Sequence, residues 1–168
     1  MKTNIVLIGM PGSGKTTVGR ELSRMTGKPQ ADGDSIIEDA DGRKLQEIID
    51  AEGTDYFKSL EGDVLSNLSY ENYIISPGGS AVYYPEAMTN LLKIGHVVYL
   101  NVKFPEIQKR VTNLESRGIV FKPNQTFEDL YNERTPLYAK YAEINLETEG
   151  MSATETAETI LRLLDKRK

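Results

Sequence analysis

The chain has 168 residues, no cysteine and a formal net charge of −5 at pH 7. A chain of this length can bury a core as a single domain, residues 1–168, and without cysteine it forms no disulfide. It has no apolar run of about 18 residues that would span a membrane, and its acidic balance argues against a general nucleic-acid surface. We expect a cytoplasmic protein that acts as a monomer, without a membrane or nucleic-acid partner.

Short apolar segments alternate with helical patterns along the chain, which is typical of an α/β fold whose parallel sheet is covered by helices on both faces. Five segments predict strands: residues 4–8, 29–31, 73–76, 96–102 and 143–146, of which the second is the weakest. The sequence therefore predicts a three-layer fold with a five-stranded parallel sheet.

The intervening helices are predicted from apolar residues that recur at helical spacing and from residues that favour helix starts. Thr126 and Ser152 each stand three residues before an acidic residue, as in a capping box, and Pro105 favours a helix start. The predicted apolar stripes are Val18, Leu22 and Met25; Phe57, Leu60, Val64 and Leu68; Ile107, Val111 and Leu114; and Ala157, Ile160, Leu161 and Leu164.

The most specific motif lies directly after the first strand. Residues 9–16 read GMPGSGKT, which fits the phosphate-loop pattern G-x-x-x-x-G-K-[ST] between a strand and a helix. Glycines let backbone N–H groups curl around a β-phosphate, and the following helix presents its positive N-terminus. A glycine turn that fits by chance is disfavoured by this strand-to-helix context. The residues assigned to nucleotide binding are Gly12, Ser13, Gly14, Lys15, Thr16 and Thr17, with Lys15 on the β- and γ-phosphates and the Thr16 hydroxyl on Mg²⁺.

Two carboxylates follow the predicted second strand, at the sheet edge where open α/β folds bind ligands. We expect Asp32 to orient the water shell of Mg²⁺, and Asp34 to face an acceptor hydroxyl and take or orient its proton. The alternative is a local role, in which an aspartate caps the helix that begins near Ser35. The phosphate loop upstream favours the functional interpretation.

Two loop segments complete the predicted site. Gly78 and Gly79 follow the third strand, where bare backbone lets a ligand approach closely, although a glycine pair is more often a plain turn. Residues 115–125 have no apolar periodicity and contain Gly118 and Pro123, which predicts a lid that orders over bound substrates.

Taken together, these motifs resemble those of the shikimate kinases. The shared features extend over nearly the whole chain: the phosphate loop, Asp32-x-Asp34, Phe57-x-x-x-Glu61, the Gly78-Gly79 turn, and residues 134–138, which read RTPLY. The resemblance implies a P-loop NTPase-type fold like that of the nucleoside monophosphate kinases, with five parallel strands and a lid. It also implies ATP- and Mg²⁺-dependent phosphorylation of one hydroxyl of a cyclic carboxylic acid, which in that family is shikimate.

The resemblance also implies roles for individual residues. Asp34 would contact the acceptor hydroxyls, Arg134 would belong to a clamp on the substrate carboxylate, and Arg110 would stack on adenine. For Arg110, a solvated helix arginine is an equally weighted alternative. The full set of residues expected around the acceptor is Asp34, Lys58, Gly78, Gly79, Lys122 and Arg134.

Three departures from the family pattern concern the acceptor side. Lys58 stands where the family has arginine, so one arm of the carboxylate clamp lacks the planar fork. In the lid, Lys122 replaces an arginine, and Arg117 is a second candidate for the lid cation. Ser80 replaces the third glycine of a triplet. These departures leave the nucleotide chemistry intact and concern the identity of the acceptor.

The sequence thus predicts a kinase that transfers the γ-phosphoryl group of ATP to an alcohol, with Lys15 and Asp34 as catalytic residues and shikimate as the leading acceptor. Two alternatives stay open at this point: a kinase for another small polyhydroxy acid or nucleoside monophosphate, and a nucleotide-binding relative without turnover. Intact Lys15, Thr16, Asp32 and Asp34 favour an enzyme.

Overall fold

A computed structural model describes residues 1–111, 119 and 121–168 of the chain. Five strands form one parallel sheet in the order β2-β3-β1-β4-β5. They are β1 (Asn4–Ile8), β2 (Gln30–Asp32), β3 (Ile74–Ser76), β4 (Gly95–Asn101) and β5 (Ile144–Glu147). The predicted α/β class and five-stranded parallel sheet are confirmed, and every predicted strand end lies within one residue of the observed end.

Helices cover both faces of this sheet. In the described part of the chain they are α1 (Lys15–Thr26), α2 (Gly33–Asp41), α3 (Leu45–Glu52), α4 (Thr54–Ser66), α5 (Pro85–Ile94), α6 (Phe104–Arg110), α7 (Phe127–Tyr141) and α8 (Ala153–Asp165), with a short 3-10 helix at Ala81–Tyr83. None of these helices is long and apolar enough to cross a membrane.

The sheet separates two apolar layers because successive side chains of a strand point to opposite faces. Val6 and Ile8 of β1 join a layer built with α4, α5 and α7, whereas Ile5 and Leu7 join a layer built with α1 and α8. All of β1 is buried. The loop that leaves its carboxyl end is therefore anchored on the fully buried central strand of the sheet.

Helix α4 buries a different face from the predicted one. Its buried residues are Glu61 and Leu65, whereas the predicted stripe is only half-buried within the helix, and Leu68 lies beyond the helix end. The predicted stripe is confirmed in part, since Leu68 is buried and Val64 packs against the core, whereas Phe57 and Leu60 are only half-buried. The hydrophobic pattern could not reveal a carboxyl group that turns inward to polar partners. Those partners belong to the loop after β3 and are described below.

The predicted helix starts near the site are confirmed, but one predicted helix is shorter than expected. Thr126 and Asp129 exchange side-chain hydrogen bonds with each other's N–H group, both 3.0 Å, and Ser152 Oγ accepts from the N–H of Glu155 at 3.1 Å. Helix α6 ends at Arg110, so Val111 lies just after it. The predicted stripe residue Leu114 lies outside the described residues.

Candidate active site

The phosphate loop joins β1 to α1 at the carboxyl edge of the sheet. Gly12 has a left-handed φ of +82°, and a Cβ there would come within 2.5 Å of Val111 Cγ2, so a side chain is excluded twice over. Helix α1 begins at Lys15 and has no acidic residue in its first turn. Its N-terminal N–H groups therefore lie where no carboxylate of their own turn competes with a bound anion.

Lys15 is folded back over this loop and is half-buried. Its Nζ donates to the carbonyl oxygens of Gly9 and Met10, both at 2.8 Å, and lies 3.4 Å from Ser13 Oγ. The two carbonyl groups fix the ammonium beside the first turn of α1. The lysine and the helix N-terminus thus place positive potential at the same point.

A cavity of about 540 Å³ lies over the loop. This volume is in the range of small-molecule sites. The guanidinium of Arg110 lies at its side, held by Glu106 at 3.1 Å and by the carbonyl oxygen of Gly12 at 3.4 Å. The structure brings together at this cavity all the residues predicted to bind the nucleotide: Gly12, Ser13, Gly14, Lys15, Thr16, Thr17 and Arg110.

One wall of the cavity was not predicted from the sequence. It is formed by the connection between β5 and α8, with Thr148, Met151, Ala153 and Thr156 facing the cavity. The carboxyl end of β5 lies at the same sheet edge as the phosphate loop, because all five strands are parallel. Residue 148 directly follows the last strand, and that position could have indicated a cavity-lining role. It was missed because the side chains of this segment that face the cavity carry no charged group.

Asp32 is the last residue of β2 and the N-cap of α2. This is the helix-capping role given above as the alternative to metal binding. Asp32 Oδ1 accepts from the N–H of Ser35 at 2.8 Å, and the side chain is otherwise exposed. Across the sheet, Asp32 is paired with Ser76, the last residue of β3. Ser76 is only 7% exposed, and its Oγ has no hydrogen-bond partner among the described residues. A buried hydroxyl without a partner marks a place for a ligand or a bound water.

Sequence reasoning missed Ser76. The signal that would have found it is a serine at the end of an otherwise apolar strand, directly before the Gly78-Gly79 turn. In the described part of the chain, no group of three or more His, Cys, Asp or Glu side chains forms a metal cage. Any cation at this edge would thus depend on few protein oxygens.

Asp34 lies in the first turn of α2, which contacts the turn after β3. A Cβ on Gly33 would lie 2.6 Å from the backbone nitrogen of Gly78, so the two backbones touch directly. The pKa of Asp34 is raised, first because its carboxyl is partly buried and then because Asp32 and Glu38 carry like charge nearby. A raised pKa makes the Asp34 carboxylate a stronger proton acceptor.

A second carboxyl lies against the Gly78-Gly79 turn and is buried. Glu61 is 5% exposed, and its Oε1 accepts a hydrogen bond from Ser80 Oγ at 2.7 Å. The phenol of Tyr84 also hydrogen bonds to it. Burial raises the pKa of Glu61, and the bonds from Ser80 and Tyr84 oppose this rise. The serine that departs from the family pattern is therefore tied to this buried acid.

Arg134 of α7 approaches the same turn from the other side. It is 6% exposed, and its Nη1 lies 2.9 Å from the position that a Cβ on Gly79 would take. The carbonyl oxygen of Gly79 accepts from Tyr138 Oη at 2.8 Å. Among the described residues no carboxylate forms an ion pair with Arg134. The carboxylates of Glu61 and Glu133 act on this guanidinium only from beyond ion-pair distance, so an anionic ligand that pairs with it directly would stabilise it further.

The structure does not bring Lys58 or Lys122 into contact with Arg134. Lys58 is exposed on α4, and Lys122 is exposed and forms an ion pair with Glu133 of α7 at 2.8 Å. Gln125 donates to the same glutamate at 2.7 Å. The described end of the predicted lid is thus tied to α7. Arg117 and residues 112–118 and 120 lie outside the described residues.

We expect Ser80→Ala to lower the free energy of unfolding by about 1–3 kcal/mol at pH 7, since it removes a hydrogen bond to a buried carboxylate. Ser80 favours the charged form of Glu61 and so lowers its pKa. The destabilisation must therefore be larger above the pKa of Glu61 and shrink as the pH falls below it. Urea unfolding of both proteins across this pH range measures the difference. An equal loss at every pH, or one matched by the exposed-serine control Ser69→Ala, would contradict this role.

Comparison with known proteins gives concordant matches. A family model described as shikimate kinase matches residues 11–165. A shikimate kinase of Clostridium botulinum (strain 657 / Type Ba4) is 38% identical over 169 aligned residues, which cover 98% of each chain. The solved shikimate kinase of Acinetobacter baumannii in complex with shikimate has a TM-score of 0.85 and 33% identity, covering 100% of this chain and 96% of that one. The crystal structure of the Aquifex aeolicus vf5 enzyme has a TM-score of 0.77 and 31% identity, covering 98% of each.

Proposed function

Because the chain belongs to the shikimate kinase family, we propose that it transfers the γ-phosphoryl group of ATP to a hydroxyl of shikimate, forming shikimate 3-phosphate. The observation in this chain that carries the acceptor assignment is Arg134. A buried guanidinium without a carboxylate partner in the described structure, beside a bare glycine turn, suits a small carboxylic acid. The acceptor thus lies between this arginine and Asp34.

The nucleotide occupies the cavity over the phosphate loop. The N–H groups of residues 12–17 and the ammonium of Lys15 surround the β- and γ-phosphates. Arg110 lines the cavity and packs against the base. The unpredicted wall after β5 closes one side of this cavity, because Thr148 and Met151 face the same space.

The residues present fit Mg²⁺ held mainly by the phosphates and water. Mg²⁺ commonly binds through one or two protein oxygens and keeps several waters. Thr16 would offer its hydroxyl, and Asp32 would hold waters through the exposed part of its carboxylate. The Ser76 hydroxyl, which has no hydrogen-bond partner in the described part of the chain and lies beside Asp32, is a third position for a bound water. The ion would supply neutralisation of phosphate charge.

In the proposed mechanism, this chain's residues act by positioning and by charge. Asp34 accepts the proton of the attacking hydroxyl, and Lys15 stabilises the negative charge on the transferring group. Arg134 holds the carboxylate of the acceptor, so that its ring lies against Gly78 and Gly79 and its hydroxyl faces Asp34. Lys58 and Lys122 add positive charge at the rim of the acceptor site.

Several coarser properties complete the proposal. Residues 1–168 act as one domain; the lid predicted for residues 115–125 lies partly outside the described residues. The protein works as a cytoplasmic monomer on small molecules, without nucleic-acid or membrane partners.

A coupled ADP-release assay tests the proposed function directly. The panel contains shikimate, other small hydroxy acids and nucleoside monophosphates, each with ATP, in the presence and absence of Mg²⁺. We expect ADP release that depends on both shikimate and Mg²⁺ and far exceeds the rate with any other acceptor. A higher kcat/KM with another acceptor, or ATP binding without any acceptor-dependent release, would overturn the shikimate assignment.

Lys58→Arg is expected to lower the shikimate KM several-fold at saturating ATP. A guanidinium fork binds a carboxylate in two parallel bonds, whereas lysine offers a point charge, and the difference is on the order of 1 kcal/mol. The measurement is the shikimate KM of both proteins, with Lys93→Arg on α5 as an exposed control. An unchanged or higher KM for shikimate would mean that residue 58 does not reach the carboxylate.

A further inference from the structure

The acceptor side contains an aromatic hydroxyl that the proposed mechanism does not use. Tyr83 ends the 3-10 helix that follows the Gly78-Gly79 turn, and it is 39% exposed. Its two predecessors in that helix, Ala81 and Val82, are fully packed in the core. The phenol is thus held at the surface of the site by a rigid, buried segment of backbone.

Tyr83 contacts the buried Arg134. The guanidinium carbon lies 5.4 Å from the ring centroid, and Nε donates to the Tyr83 hydroxyl at 3.4 Å. The cation over the ring restrains the aromatic side chain. In the hydrogen bond the phenol oxygen is the acceptor, so its own proton is available for a different partner. No described side chain or carbonyl group accepts that proton.

The charges around the phenol favour an anion as that partner. Arg134 lies on one side, and Lys122 also interacts electrostatically with Tyr83. Two carboxylates of this region are already engaged: Glu133 of α7 by Lys122 and Gln125, and the buried Glu61 by Ser80. A hydroxyl donor held against a buried guanidinium suits a carboxylate ligand, which both groups can bind together.

We propose that Tyr83 donates a hydrogen bond to the carboxylate of the acceptor, beside the guanidinium of Arg134. This inference rests on the proposed function. In this arrangement Tyr83 is the second hydrogen-bond donor to the carboxylate, in addition to Arg134. Lys58 does not fill this role because it is exposed and has no described partner, whereas Tyr83 already lies against Arg134. Tyrosine loses little rotamer freedom on binding, since it has only two side-chain torsions.

Tyr83→Phe tests the proposal because it keeps the ring on Arg134 and removes only the hydroxyl. We expect the shikimate Kd, measured by titration calorimetry, and the shikimate KM to rise about tenfold, which is ~1.4 kcal/mol. The kcat and the KM for ATP should stay within about twofold of the wild-type values. Tyr141→Phe is the matched control, because the ring of Tyr141 also contacts a cation, Lys140 at 5.1 Å. Tyr141 lies about two turns beyond Arg134 on α7.

The methyl ester of shikimate separates substrate contact from a structural effect. If the phenol bonds to the carboxylate, esterification removes the charged acceptor, so Tyr83→Phe should weaken the ester much less than it weakens shikimate. If the hydroxyl merely supports the fold around Arg134, both compounds should weaken by the same factor. Equal factors for the two compounds therefore overturn the proposal.

The remaining outcomes are also decisive. If the wild-type protein phosphorylates shikimate and Tyr83→Phe binds it equally well, Tyr83 has no such role and the proposed function stands. If the wild-type protein neither binds nor phosphorylates shikimate, the proposed function is wrong and this inference falls with it. Weakened shikimate binding with a near-normal kcat, absent in Tyr141→Phe and reduced for the ester, supports Tyr83 as a ligand of the acceptor.

Discussion

Replacing Lys15 with alanine is expected to lower kcat for ADP release by on the order of 10³-fold or more, with the fold intact. The reason is the position of its ammonium, which Gly9 and Met10 carbonyl oxygens hold beside the N-terminus of α1. Charge that develops on the transferring phosphoryl group would meet this ammonium and the loop N–H groups together. The alanine variant keeps the glycine loop but loses the positive charge that the loop holds in place.

The measurement is steady-state kcat in the coupled assay, together with circular dichroism and the Tm of each variant. Lys93→Ala is the control, because Lys93 is an exposed lysine in the last turn of α5, remote from the loop. Turnover near the wild-type rate in a folded Lys15→Ala protein would exclude Lys15 from phosphoryl transfer. A matching loss in Lys93→Ala would point to a general effect of removing a surface charge.

Asp34→Asn is expected to lower kcat by about 10²- to 10⁴-fold while the KM for ATP changes little, because Asp34 acts on the acceptor. The kcat of the wild-type protein should also fall as the pH is lowered, because Asp34 becomes protonated. Since burial and the like charges of Asp32 and Glu38 raise the pKa of Asp34, its base form is lost at a higher pH than for an ordinary aspartate. This acidic limb should be absent from the residual activity of Asp34→Asn.

The control for this variant is Asp39→Asn, an exposed aspartate further along the same helix. Kinetic constants for ATP and shikimate are measured for all three proteins between pH 5 and 8. Weakened ATP binding with spared turnover in Asp34→Asn would mean that Asp32 and Asp34 have been assigned in the wrong order. An acidic limb that persists in Asp34→Asn would assign the titration to another group.

The sequence was sufficient to predict the sheet and the loop whose residues line the cavity at its edge, for physical reasons that are local. A buried parallel strand is a continuous apolar run, and a phosphate loop needs fixed residue types at fixed spacing. Val6 and Ile8 show the first signal, and Gly12 shows the second, since its φ and its contact with Val111 admit no side chain. Both features depend on residues that are adjacent in the sequence, so they can be predicted without knowledge of tertiary contacts.

The acceptor side depends on contacts between distant segments and was only partly predictable. Glu61 was visible as part of a motif, but its burial and its bond to Ser80 arise from the packing of α4 on the turn after β3. Tyr83 meets Arg134 across 51 residues. Ser76 becomes a candidate only in the structure, where its hydroxyl is buried and has no hydrogen-bond partner among the described residues. Periodicity carries no information on such pairs.

The short segment from Gly78 to Tyr84 has a consequence for how new substrate ranges arise in this protein. Ser80 and Tyr83 contact two separate charged groups, on α4 and on α7, yet neither residue lines the nucleotide cavity. Substitutions at Ser80 and Tyr83 can therefore change this side of the site without altering a residue that lines the cavity over the phosphate loop. The segment is a natural region for directed evolution of acceptor choice, and a site at which inhibitors would discriminate this enzyme from relatives that share its ATP chemistry.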